Sequence, residues 1–345
     1  MTSSTNPLAA DLDHILDHTR DLWDELRGER LFITGGTGFF GCWLMESFLW
    51  ATDRLNLNSR VTVLTRSPDS FHRKVPHLAG HEAVTVLQGD VRTFDFPSGK
   101  FSHIIHAATE SSAKLNSENP LLMLDTIVEG TRHTLDFAQA CGIKKFLLTS
   151  SGAVYGKQPP DLTHIPEDYL GAPDPLDPSS AYGIGKRMAE HLCTIYAHKK
   201  STEMKIARCF AFVGPYLPLD AHFAIGNFIR DALNGGPIII KGDGTPRRSY
   251  LYAADLAIWL WTILFRGQHL RPYNVGSNES FSIAEIARHV AKQFSPKIAV
   301  EVRVKADPEL VERYVPNIQR AKNELGLAAW VPLENSIQNV INFCE

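Results

Sequence analysis

Leu31-Phe32-Ile33-Thr34 runs without a break into Gly35-Gly36-Thr37-Gly38-Phe39-Phe40-Gly41. The first four residues make a short apolar run of the kind that forms a buried strand, and the spacing that follows predicts a helix over 39–51. Glycines at 35, 38 and 41 let the chain turn tightly, let backbone approach a pyrophosphate and let the helix pack on the strand. The N–H groups at the helix start are then free to face phosphates. Strand, glycine turn and helix in this order read as a dinucleotide site rather than a purely structural turn.

Outward from that turn, strand-like runs recur at 30–34, 61–65, 84–87, 103–107, 145–150 and 205–209, with helices expected at 39–51, 121–141 and 180–199. Short apolar strands alternating with helices predict an α/β fold, a doubly wound parallel (Rossmann) sheet covered on both faces. Its ligand site belongs at the carboxyl ends of the strands. After about residue 211 turn clusters such as Gly242-Asp243-Gly244-Thr245-Pro246 separate shorter elements, with helices at 254–266, 282–294 and 335–343. The division expected is an N-terminal helix within 1–28, a dinucleotide-binding domain over 29–210, and a smaller C-terminal α/β substrate lobe mainly over 211–345, with elements free to cross the boundary. The first helix, 9–27, reads as a docking or dimer-contact element.

Composition narrows the classes. The 345 residues are 44% apolar and 21% charged, and no run reaches the roughly 18–20 apolar residues of a membrane span. A net charge of −3 offers no basic footprint for nucleic acid. The N-terminus carries no basic start and apolar block of a secretory signal. Five cysteines, at 42, 141, 193, 209 and 344, form no CxxC pair, which fits a reducing cytoplasm. His72, His77 and His81 form a loose group, but nothing at ligand spacing completes a metal site, and the segment reads as polar surface.

At the end of the second strand Thr65-Arg66-Ser67 lacks the acid that would bond the ribose 2′-hydroxyl of NAD. Arg66 could instead pair with the 2′-phosphate of NADP, stack on adenine or face water, and the cofactor reading leans to NADP. Gly89-Asp90-Val91 closes the third strand, where a carboxylate can accept from the adenine amino group. His106-Ala107-Ala108 closes the fourth, where small residues leave room for the dinucleotide. Tyr182 and Lys186 stand four residues apart on one helix face. A nearby cation favours a phenolate, and Thr149-Ser150-Ser151 at the end of the fifth strand can aim a hydroxyl at the same substrate oxygen. Such a pair can also be an ordinary surface pair; its place behind a dinucleotide turn argues for chemistry.

With these stretches together, from Thr34 to about Leu333, the chain resembles the extended short-chain dehydrogenase/reductase family, in its nucleotide-sugar epimerase/dehydratase branch. The further matches are Ser150-Ser151-Gly152-Ala153-Val154-Tyr155-Gly156, Gly242 to Arg248, and Tyr273-Asn274-Val275-Gly276. The resemblance implies catalytic roles for Ser151, Tyr182 and Lys186: Tyr182 moves a proton of a sugar hydroxyl or ketone, Ser151 orients the oxygen, and Lys186 holds the nicotinamide ribose and lowers the tyrosine's pKa. It implies contacts to NAD or NADP at Gly35, Thr37, Gly38, Phe39, Phe40, Gly41, Thr65, Arg66, Ser67, Asp90, Val91, Ala107, Ala108, Thr109, Tyr182 and Lys186. It implies contacts to a nucleotide-diphosphate sugar at Thr109, Ser151, Gly152, Ala153, Tyr182, Arg248 and Arg313, the two arginines clamping the diphosphate unless they are solvated surface charges. A homodimer through helices 121–141 and 180–199 is also implied.

Three departures bear on the reaction. Family 4,6-dehydratases carry Asp-Glu immediately before Val-Tyr-Gly, and sugar-acid decarboxylases a glutamate; this chain has Gly152 and Ala153, which weakens both readings. Ala211 replaces a usual substrate-contacting asparagine, and the acid after the second strand is missing. Epimerisation through a transient 4-keto sugar needs only Ser151, Tyr182, Lys186 and the dinucleotide. Reduction of an NDP-4-keto-6-deoxy sugar with exchangeable NADPH needs the same set. A non-catalytic dinucleotide-binding relative would be expected to have lost Tyr182 or Lys186. The proline-rich stretch 157–179 is expected to border the sugar site.

Overall fold

The computed structural model describes residues 6–109, 113–198, 202–221, 223–305 and 311–345. Its centre is a seven-stranded parallel sheet. Six strands come from the first 209 residues: β1 (Arg30–Thr34), β2 (Arg60–Thr65), β3 (Val84–Gln88), β4 (His103–His106), β5 (Lys145–Ser151) and β6 (Glu203–Cys209). The spatial order is β3-β2-β1-β4-β5-β6, and the strand Pro272–Val275 then adds to β6. The order reverses between β1 and β4, so the carboxyl ends of those two strands open a crevice. Register brings Thr34 opposite both Leu64 and His106 at that crevice.

The apolar runs are continuous because both faces of the sheet are covered. Leu31 and Ile33 of β1 point into a core with Trp43, Phe48 and Trp261, while Phe32 points the other way, toward Phe137 and Phe146. Helices Pro120–Cys141 and Ala181–Ala197 cover the second face, side by side. Helices Phe39–Leu55 and Ala253–Arg266 cover the first. The last of these is buried from Ala253 to Phe265, an all-round apolar helix that only a core accommodates. It belongs to the layers of the large sheet although it lies beyond residue 211, and so does the strand Pro272–Val275, which sequence reading did not single out as a strand.

The expected first helix divides in two: an α-helix Ala9–Thr19 and a 3-10 segment Arg20–Leu26. Thr19 Oγ1 donates to the Ile15 carbonyl at 2.6 Å and accepts from Trp23 Nε1 at 2.9 Å, a local hydroxyl competition at the point where the helix changes pitch. The helix at 282–294 ends earlier, at Ala291, and the last one begins at Leu333. The smaller lobe combines helices Ala224–Leu233, Ile283–Ala291 and Leu333–Cys344 around one apolar cluster. A three-stranded sheet, Phe281–Ser282, Arg247–Arg248 and Arg313–Tyr314, stands at its edge. Among the described residues no helix is long and apolar enough to cross a membrane.

Candidate active site

The glycine turn makes a cradle at the crevice between β1 and β4. Gly35 has φ +73°, and a Cβ there would stand 2.5 Å from the Ala107 carbonyl carbon, so only glycine lets the turn lie against β4. Thr34 Oγ1 meets His106 Nδ1 at 2.8 Å and accepts from Ala108 N–H at 3.1 Å, tying the two strand ends together. Gly38 is the extended N-cap of helix Phe39–Leu55, and no side chain caps that end. Thr37 lends its carbonyl to Lys74, and Phe40 packs edge-on against Phe212. Beside the cradle the buried Thr109 hydroxyl has no hydrogen-bond partner among the described residues. A closely approached backbone, an open helix N-terminus and an orphaned hydroxyl fit a dinucleotide.

The ends of β2 and β3, beside the crevice, carry charge. Arg66 and Ser67 stand exposed at the end of β2, with Ser67 N–H donating to Thr65 Oγ1 at 3.3 Å. Asp90 is gripped by Arg92, at 2.9 Å to each carboxylate oxygen, next to the buried Val91. That guanidinium holds the Asp90 carboxyl down to about 2, with a smaller contribution from Arg66. Asp90 is therefore a fixed anion with a resident partner, which its place after β3 did not announce.

At the other end, Ser151 closes β5 and its Oγ accepts from Ala153 N–H at 3.1 Å, starting the short turn Gly152–Tyr155. Tyr182 and Lys186 lie one turn apart at the start of helix Ala181–Ala197, with Lys186 Nζ 5.9 Å from the tyrosine ring centre. Lys186 is buried and donates to the Thr149 carbonyl at 2.9 Å. Burial pushes the Tyr182 phenol up to about 12, against the pull of its hydrogen bond with Ser151, and pushes Lys186 down to about 8. The resemblance implies that Lys186 lowers the tyrosine's pKa; in the dinucleotide-free protein burial dominates and raises it. The ammonium points to a carbonyl, and desolvation is the largest cause at both groups. His106, below them, is held neutral by burial and by the Lys186 charge, its pKa near 3.

Arg248 and Arg313 are not brought together. Arg313 pairs in register with Arg247, and Arg248 with Tyr314, so the two paired sets fall on opposite faces of the small sheet. Arg247 and Arg313 line an open cavity of the lobe together with Arg288 and Arg303. On the other face Tyr314 reaches Ser151, its oxygen 3.4 Å from Oγ, and packs tilted against Phe210 with ring centres 4.7 Å apart. Arg248 lies 6.0 Å from the Tyr314 ring and bonds Glu312 at 2.7 Å. A Cβ on Gly152 would stand 2.7 Å from the Phe210 ring and 2.8 Å from the Tyr314 oxygen. Sequence reading passed over Tyr314 and Phe210. Tyr314 was adjacent to a residue it did select, but only the register of two-residue strands reveals which neighbour faces the site. Among the described residues no three histidine, cysteine or acidic side chains gather as a metal site.

Residues 31–276 match the model of the NAD dependent epimerase/dehydratase family. The chain belongs to that family. It is 31% identical over 318 residues to UDP-glucuronic acid decarboxylase 1 of Xenopus tropicalis, covering 91% of this chain and 72% of the relative. Among solved structures it is similar to an epimerase of Methanothermobacter thermautotrophicus, with TM-score 0.78, 21% identity and 95% of both chains covered. It is also similar to UDP-glucuronic acid 4-epimerase of Bacillus cereus, in complex with UDP-glucuronic acid and NAD, with TM-score 0.75, 22% identity, and 91% of this chain and 98% of that one covered. At those identities the structures attest the fold. At Gly152 and Ala153 the chain has no acidic side chain, and the room beside Gly152 is filled by a phenol and a phenyl ring.

Proposed function

We propose that the protein is a nucleotide-sugar 4-epimerase, interconverting the two C4 epimers of a nucleotide-diphosphate sugar through a transient 4-keto sugar. The observation that carries this reading is the gathering of Ser151, Tyr182 and Lys186 at one strand end with no carboxylate at 152 or 153. Elimination needs an acid for the leaving hydroxyl and a base for a carbon-bound proton. Phe210 and Tyr314 occupy the space into which a side chain at 152 would grow. What remains is proton transfer at the C4 oxygen coupled to hydride transfer at C4.

The dinucleotide, when bound, supplies the acceptor and donor of hydride. Gly35, Gly38 and the start of helix Phe39–Leu55 hold its diphosphate, Thr109 takes up a ribose or substrate hydroxyl, and Lys186 holds the nicotinamide ribose. Tyr182 accepts the proton of the C4 hydroxyl as the ketone forms and returns it when the alcohol is restored. Ser151 holds the sugar oxygen during both transfers, and Arg248 meets the diphosphate from the lobe. Arg66 is the residue suited to a 2′-phosphate, beside the Asp90 anion that opposes one, so NAD and NADP are to be compared directly.

The test uses UDP-glucuronic acid with NAD or NADP in parallel, the products separated and identified by mass and proton NMR. A product of unchanged mass and inverted C4 is expected. Tyr182→Phe should lower its rate by about 10²–10⁴-fold while dinucleotide binding persists. Release of carbon dioxide would replace this reading with decarboxylation, which the 31% identity to a UDP-glucuronic acid decarboxylase favours. Stoichiometric consumption of NADPH with an NDP-4-keto-6-deoxy sugar, without isomerase activity, would make it a reductase. Dinucleotide binding with no turnover of any sugar nucleotide would mark a non-catalytic relative.

A further inference from the structure

A second concave site lies on the face of the small sheet turned away from Ser151. Arg247 and Arg313, direct neighbours in the parallel pairing, line a cavity of about 890 Å³. Arg288 joins them from helix Ile283–Ala291, and Arg303 and Lys305 from the chain that follows the strand Val300–Val302. Among the described residues, five cations share this lining with two carboxylates, Asp243 and Glu285. Like charges directly opposite one another on a strand pair are destabilising. The lobe's apolar core is formed by other residues, so packing does not call for that pairing.

The two carboxylates are already engaged. Asp243 accepts from Thr245 N–H at 3.0 Å and from the Thr245 hydroxyl at 2.8 Å, closing its own turn. Glu285 accepts from Ser282 N–H at 2.7 Å in the capping box of its helix and lies 3.4 Å from Arg247. Arg247 Nε also donates to Ser280 Oγ at 2.9 Å, and Arg303 pairs with the exposed Glu301 at 3.0 Å. For Arg288, Lys305 and Arg313 no carboxylate of the described residues lies within ion-pair distance. Arg313 is nevertheless half-buried.

We propose that this cavity binds a phosphorylated small molecule carrying at least two negative charges, at a site separate from that of the nucleotide sugar. Guanidinium groups offer several fixed donors that match phosphate oxygens, and an anion set between Arg247 and Arg313 turns their repulsion into attraction. A concave wall of one sign concentrates its field on such an anion. The volume is that of a metabolite pocket, far more than a lone phosphate ion fills. Val302 and Val304, both about half exposed, give an apolar wall for the body that carries the phosphate. No aromatic side chain lines the cavity among the described residues, so a nucleobase finds no stacking partner there. Arg248 and Tyr314, the next residues on the same two strands, turn to the other face, where Tyr314 meets Ser151.

The experiment titrates inorganic pyrophosphate into the full chain by isothermal titration calorimetry at neutral pH and low salt, with NAD present in excess to occupy the glycine cradle. Binding with a Kd below about 1 mM is expected. Arg288→Gln together with Arg313→Gln should weaken it by about tenfold or more, and Arg288→Gln alone, at an exposed position that folding does not need, by about threefold. Arg248→Ala, on the opposite face, should leave it unchanged. Citrate, of similar charge but built of carboxylates, should bind about tenfold more weakly than pyrophosphate. An absence of pyrophosphate binding overturns the proposal, as does binding that the Arg288 and Arg313 variants leave intact. Loss of binding in Arg248→Ala would place the anion on the catalytic face and overturn it too, and citrate binding as tightly as pyrophosphate would overturn the choice of phosphate. The titration involves no turnover, so its result stands whatever reaction the protein catalyses.

Discussion

Lys186 sits where its charge is poorly solvated, and that has a measurable cost in the dinucleotide-free protein. Burial lowers its pKa from 10.5 to about 8. Between those two values the unfolded chain binds more protons than the folded one, so stability rises with pH across that window and is lowest on its acid side. Lys186→Met keeps length and removes the charge. It should be more stable than the parent by about 1–3 kcal/mol at pH 7, after allowing for the donor that Thr149 loses, with the gap closing toward the upper end of the window. Urea unfolding at neutral and alkaline pH measures this, and equal stability at both would mean that the ammonium is well solvated. The same residue shows what spacing could tell. Four residues on a helix put Lys186 near Tyr182, but the ammonium turns to a carbonyl of β5, a partner from a distant part of the chain.

At the scale of elements, the N-terminal segment works as a brace. Trp23, fully buried in the 3-10 turn, lies 4.7 Å from the Trp261 ring of helix Ala253–Arg266. Glu25 reaches His103 at 2.9 Å and Lys145 at 2.7 Å, at the starts of β4 and β5. Trp23→Ala should cost about 3–5 kcal/mol in urea unfolding while leaving NAD affinity unchanged, since the segment touches the ends of the sheet away from the crevice. A loss below 1 kcal/mol would show the segment to be an appendage. The docking was legible from the apolar spacing; the break at Thr19 was not, because it depends on one hydroxyl. The strand Pro272–Val275 was illegible for a similar reason. Pro272 and Asn274 interrupt the apolar run, and Asn274 tolerates full burial only because the Ile165 and Asn317 carbonyls and the Tyr155 hydroxyl satisfy it.

At the scale of the whole molecule, two neighbouring helices of the large sheet leave apolar side chains uncovered. Leu121 is 71% exposed on helix Pro120–Cys141, and Met188 and Ile195 are 43% and 40% exposed on its neighbour Ala181–Ala197. We propose that this face is the contact of a homodimer. Light scattering should give twice the chain mass, and Leu121→Glu with Met188→Glu should return it to one chain mass without loss of NAD binding. A monomeric parent would remove the proposal.

The sequence by itself determined whatever depends on neighbours in the chain. The glycine turn between an apolar strand and a helix, the alternation of strands and helices, and the Tyr182–Lys186 spacing are local patterns, and they sufficed for a parallel doubly wound sheet with its crevice at the strand ends. The missing carboxylates at Gly152 and Ala153 were equally plain. Only the tertiary structure decided which side chain of the small sheet meets Ser151. Arg247–Arg248 and Arg313–Tyr314 alternate faces every residue, and a shift of one in their pairing would have exchanged Tyr314 for Arg313. It also decided the pKa of Tyr182, because desolvation depends on what surrounds a phenol and not on which residues precede it.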